Sequence, residues 1–482
     1  MKKTIFFLSF LFVSFMSDAQ HYEANWESLN KRGIPAWFHQ DKFGIFIHWG
    51  VYSVPSYAPV IPNSGESYAE WYWYRIREGN KRFTAFHDSV YGKNFQYQGF
   101  ESMFKAELFD PKQWADVFKR SGAKYVVLTS KHHEGYCLWN SAEADRDWGR
   151  AWNAVTGTPQ RDLLGDLTNA VRAEGLKMGY YYSLYEWFNP LWRTDKQKFV
   201  TEHLFPQFKD LVTKYKPSII FSDGEWELSD TAWKSPELLA WLFNESPVAK
   251  EVVVDDRWGG NTRGKNTGAT YTTSEYGAGM DPNVIWEESQ GIGHSYGYNR
   301  NEQLNDYKTS NALILTLVDV VARGGNLLLD IGPAADGTIP VIMQQRLIDI
   351  GDWLQVNGDA IYGTEAWKQS YQWSEGKKPE KKGESYMAGY SAAELVKPKQ
   401  DAAHVEYFFT RKGKDLFCIV PAYTPQIRIK DFKPAAGKVS ILGSNKTISG
   451  RQAGNDFIID ISSLKPAEIF TTPFVVRLQN AL

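Results

Sequence analysis

Cysteine is nearly missing: Cys137 and Cys418 are the two in 482 residues, so no disulfide framework holds this fold. Charge of one sign is missing as well. Lysine and arginine number 54 against 56 aspartates and glutamates, a formal net charge of -2 with no basic block outside short loops, which argues against a nucleic-acid partner. Long apolar runs are absent beyond the first 20 residues, so no later segment reads as a membrane span. No Gly-rich phosphate loop follows any candidate strand, which argues against a dinucleotide site. Aromatic surface, in contrast, is abundant: 19 Trp, 26 Tyr and 28 Phe make up 15% of the chain. Flat apolar faces flanked by polar groups suit sugar rings.

Residues 1–20 read as a secretory signal peptide: Lys2 and Lys3, the apolar run Ile5 to Met16, then the small residues Ser17 and Ala19. The mature chain is expected to begin near Gln20 or His21. The apolar run falls short of the ~20 residues a bilayer anchor needs. Export to a bacterial periplasm is the expectation, with release outside the cell as the alternative.

After this leader the chain is 43% hydrophobic and long enough for about two or three domains. Every tryptophan lies at or before Trp373, and a Lys-rich, turn-rich stretch follows at 376–383. A boundary is therefore expected between about 362 and 385, dividing a catalytic domain, 21–367, from a C-terminal domain, 368–482. Before the boundary, short apolar runs alternate with helical patterns. Asp110-Pro111 with Trp114, Val117 and Phe118, ending at Gly122, predicts a capped amphipathic helix. A buried strand from Tyr125 to Leu128 follows. The alternation repeats as helices near 161–174, 199–215 and 235–244, each followed by a strand: Met178 to Tyr182, Ser218 to Phe221 and Glu251 to Val254.

Each strand ends in polar residues: Lys131-His132-His133-Glu134, Ser183 to Glu186, Ser222-Asp223-Gly224-Glu225 and Asp255-Asp256-Arg257. Chemistry gathered at the carboxyl ends of successive strands predicts an α/β fold, a distorted (β/α)8 TIM-like barrel, with an open doubly wound sheet as runner-up. Val405 to Thr410 and Leu416 to Val420, separated by Lys-Gly-Lys, predict hairpins of a C-terminal β-sandwich.

Several residues could carry chemistry. Phe46 and His48 share one strand face by the two-residue period. Adjacent His132 and His133 invite a metal site, yet strand neighbours point oppositely and need a third ligand; they could instead hold sugar hydroxyls. Asp223 ends an apolar strand, where Gly224 permits close approach. Glycoside hydrolysis needs two carboxyl groups about the scissile bond, one anionic and one protonated, so a second carboxyl is required.

At this point an ordered series of motifs becomes specific: Phe43 to Gly50, Tyr68-Ala-Glu-Trp-Tyr72, Ser130-Lys-His-His-Glu-Gly135, Tyr181-Tyr-Ser183, Ser222 to Trp226, Asp256-Arg-Trp-Gly259, Thr273-Ser-Glu-Tyr276, Trp286-Glu287, Ser295 to Asn299, Gly324 to Pro333 and Val356 to Tyr362. The chain resembles the α-L-fucosidases of family 29 of the glycoside hydrolases, in their broad-specificity lysosomal and bacterial form, over nearly all of 22–367. That resemblance implies a retaining, exo-acting enzyme that removes terminal α-L-fucose from fucosylated oligosaccharides or glycoconjugates, with no metal and no organic cofactor. It implies Asp223 as nucleophile and Glu275 as acid/base, with Glu287 as the alternative acid/base. His48, Glu70, Trp71, His132, His133, Tyr182 and Arg257 fall where the family contacts the sugar hydroxyls and reacting centre, and Phe46 and Tyr296 where it receives the fucose methyl. Ser289 and Asp330 depart from the commoner family pattern. Two rival readings are a metal-dependent barrel hydrolase built on His48, His132, His133 and a carboxylate, and a catalytically inactive fucose-binding relative.

Overall fold

The computed structural model describes residues 21–62, 64–275, 283–379, 391–435, 437–465 and 472–482. The expected signal segment and residues 380–383 of the Lys-rich stretch lie outside the described residues. Eight strands, all parallel, form one curled sheet: β1 Phe43–Ile47, β2 Tyr125–Lys131, β3 Lys177–Ser183, β4 Ile219–Asp223, β5 Val253–Val254, β6 Thr272–Glu275, β7 Trp286–Gly291 and β8 Asn326–Ile331, in the order β5-β4-β3-β2-β1-β8-β7-β6. The ring is open as a ladder between β5 and β6. Single contacts span the gap, because the Tyr271 amide donates to the Val254 carbonyl at 3.0 Å and the Thr273 amide to Asp256 Oδ1 at 3.1 Å. This is the TIM-like fold that the alternating pattern predicts.

Strands buried on both faces explain the near-continuous apolar runs. The inner face packs Phe46, Tyr125, Val127, Tyr181, Ile219, Phe221, Tyr271 and Leu328 into one cluster within the curl. The outer face meets helices whose apolar stripes point inward. Helix Pro111–Arg120 buries Trp114, Val117 and Phe118, and its Asp110 cap accepts from the Lys112 and Gln113 amides, worth about 1 kcal/mol. Helices Leu163–Ala173 and Ser235–Asn244 match the predicted segments.

The segment 199–215 departs from one regular helix, dividing into a π-helical turn Phe199–Leu204 and an α-helix Phe205–Tyr215. Pro206 has no amide to offer the Glu202 carbonyl, which instead accepts from Arg146 Nη2 at 2.8 Å.

A five-stranded antiparallel sheet contains β9 Glu365–Trp373, β10 Val405–Lys412, β11 Asp415–Val420, β13 Val439–Ile441 and β16 Phe474–Leu478. It faces a three-stranded sheet of β12 Gln426–Ile429, β14 Ser449–Ala453 and β15 Asp456–Asp460. Phe409, Leu416 and Cys418 meet Ile427, Ile429 and Ile459 between the sheets, the β-sandwich core. Phe408, Phe417, Ile419 and Val475, on the other face, join the cluster of the barrel helices instead. Trp353 Nε1 donates across this junction to the Pro473 carbonyl at 2.7 Å.

Candidate active site

A cavity of about 480 Å³ opens at the carboxyl ends of the parallel strands. Asp223, the last residue of β4, lies within it. Gly224 follows at φ +73°, and a Cβ there would stand 3.1 Å from Ser183 Oγ and 3.2 Å from His133 Cε1, so a larger residue would be both strained and crowded.

One guanidinium organises the acidic side of the cavity. Arg257 Nη1 donates to Asp223 Oδ1 at 2.9 Å and Nη2 donates to Glu275 Oε1, while Nε donates to Thr273 Oγ1 at 3.0 Å. Thr273 is held in turn by Asp256, whose Oδ1 accepts its hydroxyl at 2.8 Å. The Tyr181 hydroxyl donates to Asp223 Oδ2 at 2.9 Å. Burial alone would raise the Asp223 pKa, but Arg257 first, then His133, Arg263 and the Tyr181 bond, hold it down at about 2. Asp223 is therefore an anion at neutral pH, in a buried site where charge and dipole act strongly.

The imidazoles have defined roles. The Ser183 hydroxyl donates to the Tyr185 carbonyl at 2.5 Å, so its contact with His133 Nδ1 at 2.6 Å takes the proton from the ring. His133 Nε2 faces Asp223 Oδ2 at 3.5 Å, and the ring becomes a cation only in the acid range where Asp223 itself would take up a proton, which is how it helps keep that carboxyl low. Burial is the first cause that lowers His133, to about 4, and His48, to about 3, and it carries His132 well below the ordinary range. All three rings are neutral near pH 7, and His48 and His132 line the cavity, where they are able to meet hydroxyl groups. His48 Nδ1 lies 2.7 Å from Asp330 Oδ1, and burial, with Glu70 and Glu302 nearby, raises Asp330 well above the usual carboxylate range. The two groups share one proton. Among the described residues, no three His, Cys, Asp or Glu side chains converge as a metal-ligand set.

Glu70 Oε2 accepts from the Gly297 amide at 2.9 Å and from Ser295 Oγ at 3.3 Å, and burial raises the carboxyl to about 7. Trp71 closes the opposite side, its ring edge-on to His133 at 5.6 Å. Phe46, Phe221 and Tyr296 supply an apolar corner, with Phe46 centred 5.0 Å from Phe221 and 6.3 Å from Tyr296.

The structure thus brings Phe46, His48, Glu70, Trp71, His132, Asp223, Arg257, Glu275 and Tyr296 to the cavity wall, with His133 just behind Asp223. Two expected residues lie elsewhere. Tyr182 is on the outer face of β3, where its hydroxyl donates to Gln207 Oε1 at 2.8 Å, and Tyr181 takes the inward position. The cause is register. Ser183 pairs with Asp223 and Tyr181 with Phe221, so the alternating face that carries Asp223 carries Tyr181. Glu287 points inward on β7 but lies deeper, accepting from the Tyr125 hydroxyl at 2.5 Å. Ser289, two residues on, is the β7 residue at the cavity wall, level with Glu275 in the ladder. Tyr68, Tyr181, Phe221, Trp226, Arg263 and Ser289 also line the cavity and are not among the site residues expected from sequence. Phe221 is readable from alternation with Asp223. Tyr181 is not, because sequence does not fix register between strands.

Comparison with known proteins gives a consistent result. A family model described as alpha-L-fucosidase matches residues 10–359. An alpha-L-fucosidase of Dictyostelium discoideum is 45% identical over 383 residues, 76% of this chain and 80% of the relative. A tissue alpha-L-fucosidase of Bos taurus is 37% identical over 469 residues, 94% and 90% of the two chains. A solved Thermotoga maritima alpha-fucosidase in complex with a mechanism-based inhibitor superposes with a TM-score of 0.77 at 34% identity, covering 95% of this chain and 100% of that one. With a family model covering most of its length and relatives of this similarity, the chain belongs to the alpha-L-fucosidase family.

Proposed function

We propose that the protein is a retaining exo-acting α-L-fucosidase in which Asp223 attacks the anomeric carbon and Glu275 protonates the departing oxygen. In the first step the anomeric carbon bonds to Asp223 as its bond to the protonated leaving oxygen breaks; Glu275, now a carboxylate, then takes a proton from water, which attacks the same anomeric carbon, breaks its bond to Asp223 and releases α-fucose. The observation that carries this reading is Arg257 holding both carboxylates on one guanidinium. Such a span suits the roughly 5–5.5 Å of retaining pairs better than the roughly 6.5–9.5 Å that leaves room for a water in inverting ones. Proton donation requires the Glu275 pair with Arg257 to open as the sugar enters.

The neutral imidazoles and Glu70 suit hydroxyl recognition, and the corner of Phe46, Phe221 and Tyr296 suits a methyl group where other hexoses carry a hydroxymethyl. A buried apolar corner leaves an added hydroxyl unpaired, which costs about 1–3 kcal/mol. Glu287 has a pKa raised by burial to about 8, a value that would suit an acid. Position counts first, and Glu287 does not line the cavity.

Proton NMR of early hydrolysis tests the reading. The α-anomer of fucose should appear first, because two displacements restore configuration; β-fucose first would overturn it. We also propose, on the sequence of residues 2–19, export with removal of the leader near Gln20, which N-terminal sequencing of the secreted protein would contradict if Met1 were retained. The division into a barrel unit and a sandwich unit is part of the same proposal, with the boundary drawn just before Glu365 rather than at 367, because β9, Glu365–Trp373, joins the antiparallel sheet.

A further inference from the structure

Among the described residues six large apolar side chains are exposed, Val90, Met103, Leu108, Trp226, Leu304 and Val341, and Trp226 is the aromatic one and the one at the cavity. Its exposure is 42%, whereas the other rings of the cavity wall are buried, apart from the half-buried Trp71. An indole left facing water forgoes the free energy of burial, so its position asks for a reason. The ring is also held still. Behind it stand Trp71 at 5.9 Å and 31°, His133 at 5.3 Å and 62°, and Tyr185 at 6.2 Å and 74°. Such backing fixes the plane and leaves the outer face open.

We propose that Trp226, with Arg263 beside it, is the seat for the sugar ring that carries the fucose, the leaving group of the reaction; this rests on the fucosidase reading above. Trp226 lies three residues beyond Asp223, on the turn that follows β4, so it belongs to the wall nearest the reacting carbon. The cavity of about 480 Å³ is walled by Trp71, His132 and Tyr296 as well as Trp226, and with fucose held against Asp223 the ring that carries it lies toward the exposed part of that wall, where Trp226 stands. A pyranose offers an apolar face of C–H groups and an edge of hydroxyls. Trp226 supplies the flat apolar partner. Arg263 supplies donors: its Nε is anchored on Glu225 Oε1 at 2.7 Å while its side chain stays 46% exposed. Stacking and donation from one rim would orient the leaving oxygen toward the acid, so the contact acts on the first displacement rather than on the fucosyl ester.

The test compares two leaving groups in the unmodified protein and in Trp226→Ala and Trp226→Phe. α-L-Fucosyl fluoride departs as a single atom and cannot touch the seat; 2′-fucosyllactose and 3-fucosyllactose can. With Trp226→Ala, kcat/KM on the better-cleaved fucosyllactose should fall by about tenfold more than on the fluoride, and Trp226→Phe should recover most of that difference. Turnover of the fluoride reports that each variant is folded. Equal losses on both substrates would make Trp226 a prop for Trp71 and His133, and no loss on either would make it idle; each result overturns the seat. Cleavage of the fluoride by the unmodified protein without cleavage of either fucosyllactose would also overturn it. Failure to cleave any of the three would remove the fucosidase reading itself, and the seat with it.

Discussion

Two carboxylates buried within the same curl of strands have opposite states. Asp223, at the mouth, is held near pKa 2, and Glu287, on the floor, is raised to about 8. Burial pushes both upward. The difference is made by what faces them: Asp223 meets the Arg257 guanidinium and the Tyr181 hydroxyl, whereas Glu287 accepts from the Tyr125 hydroxyl, with Tyr271 nearby and, among the described residues, no cation beside it. Position and partner together therefore separate the two: Asp223 lines the cavity and meets a cation, whereas Glu287 lies below the cavity and meets a hydroxyl. The floor carboxyl acts as a polar tie within an aromatic layer.

The comparison is broken most severely by exchanging which carboxyl matters. Glu275→Ala should lower kcat/KM on a natural fucoside by about 10²- to 10⁴-fold, the usual contribution of positioned proton transfer. It should spare the first step on an aryl fucoside with an activated phenol, and azide should speed its turnover. Glu287→Gln, nearly the same shape, should stay within about threefold of the parent on both substrates. Azide rescue of a Glu287→Ala variant, with none for Glu275→Ala, would reverse the assignment.

A smaller effect separates the faces of β3. Tyr181→Phe removes a donor to Asp223 and should lower kcat/KM by about tenfold, the value of one hydrogen bond to a charged group, with the acid limb of the pH profile moved upward. Tyr182→Phe should leave turnover unchanged and instead cost about 1 kcal/mol of stability, because Gln207 loses a buried partner. Denaturant unfolding beside kinetics distinguishes the two.

The smallest effect concerns stability against pH. Glu287 has a folded pKa above its unfolded value, so its favourable contribution is complete below the ordinary carboxyl range and is lost as pH rises toward about 8. Glu287→Gln should abolish that loss, gaining roughly 1–3 kcal/mol relative to the parent at pH 8 and little at pH 4. Melting curves at the two pH values measure it; a parallel shift at both would show that Glu287 does not titrate in this window.

Much of this arrangement is legible in the chain. Asp223 follows an apolar strand and Arg257 follows the next, and polar residues at strand ends are what a parallel barrel exposes at its mouth. His48, His132 and His133 are legible as strand-end candidates, whereas Glu275 comes only from the motif resemblance. What could not be read depends on contacts between distant segments. Tyr181 against Tyr182 is decided by the pairing of β3 with β4, and the depth of Glu287 by the pairing of β7 with β6. The bond from Arg146 to the Glu202 carbonyl, beside the π-helical turn, joins residues 56 apart in the chain. The two departures from the family pattern also acquire meaning in three dimensions, since Ser289 lines the cavity and Asp330 supports His48.

The central claim, that the carboxylate paired with Arg257 and Tyr181 forms the bond to the sugar, is tested most directly by trapping that bond. Incubation with 2-deoxy-2-fluoro-α-L-fucosyl fluoride slows release of the fucosyl ester, and peptide mass spectrometry then locates the label. The label is predicted on Asp223, in the peptide that contains Ser222 to Trp226. A label on Glu275, Glu287 or Glu70 would contradict the account, as would full turnover of substrate by an Asp223→Gly variant.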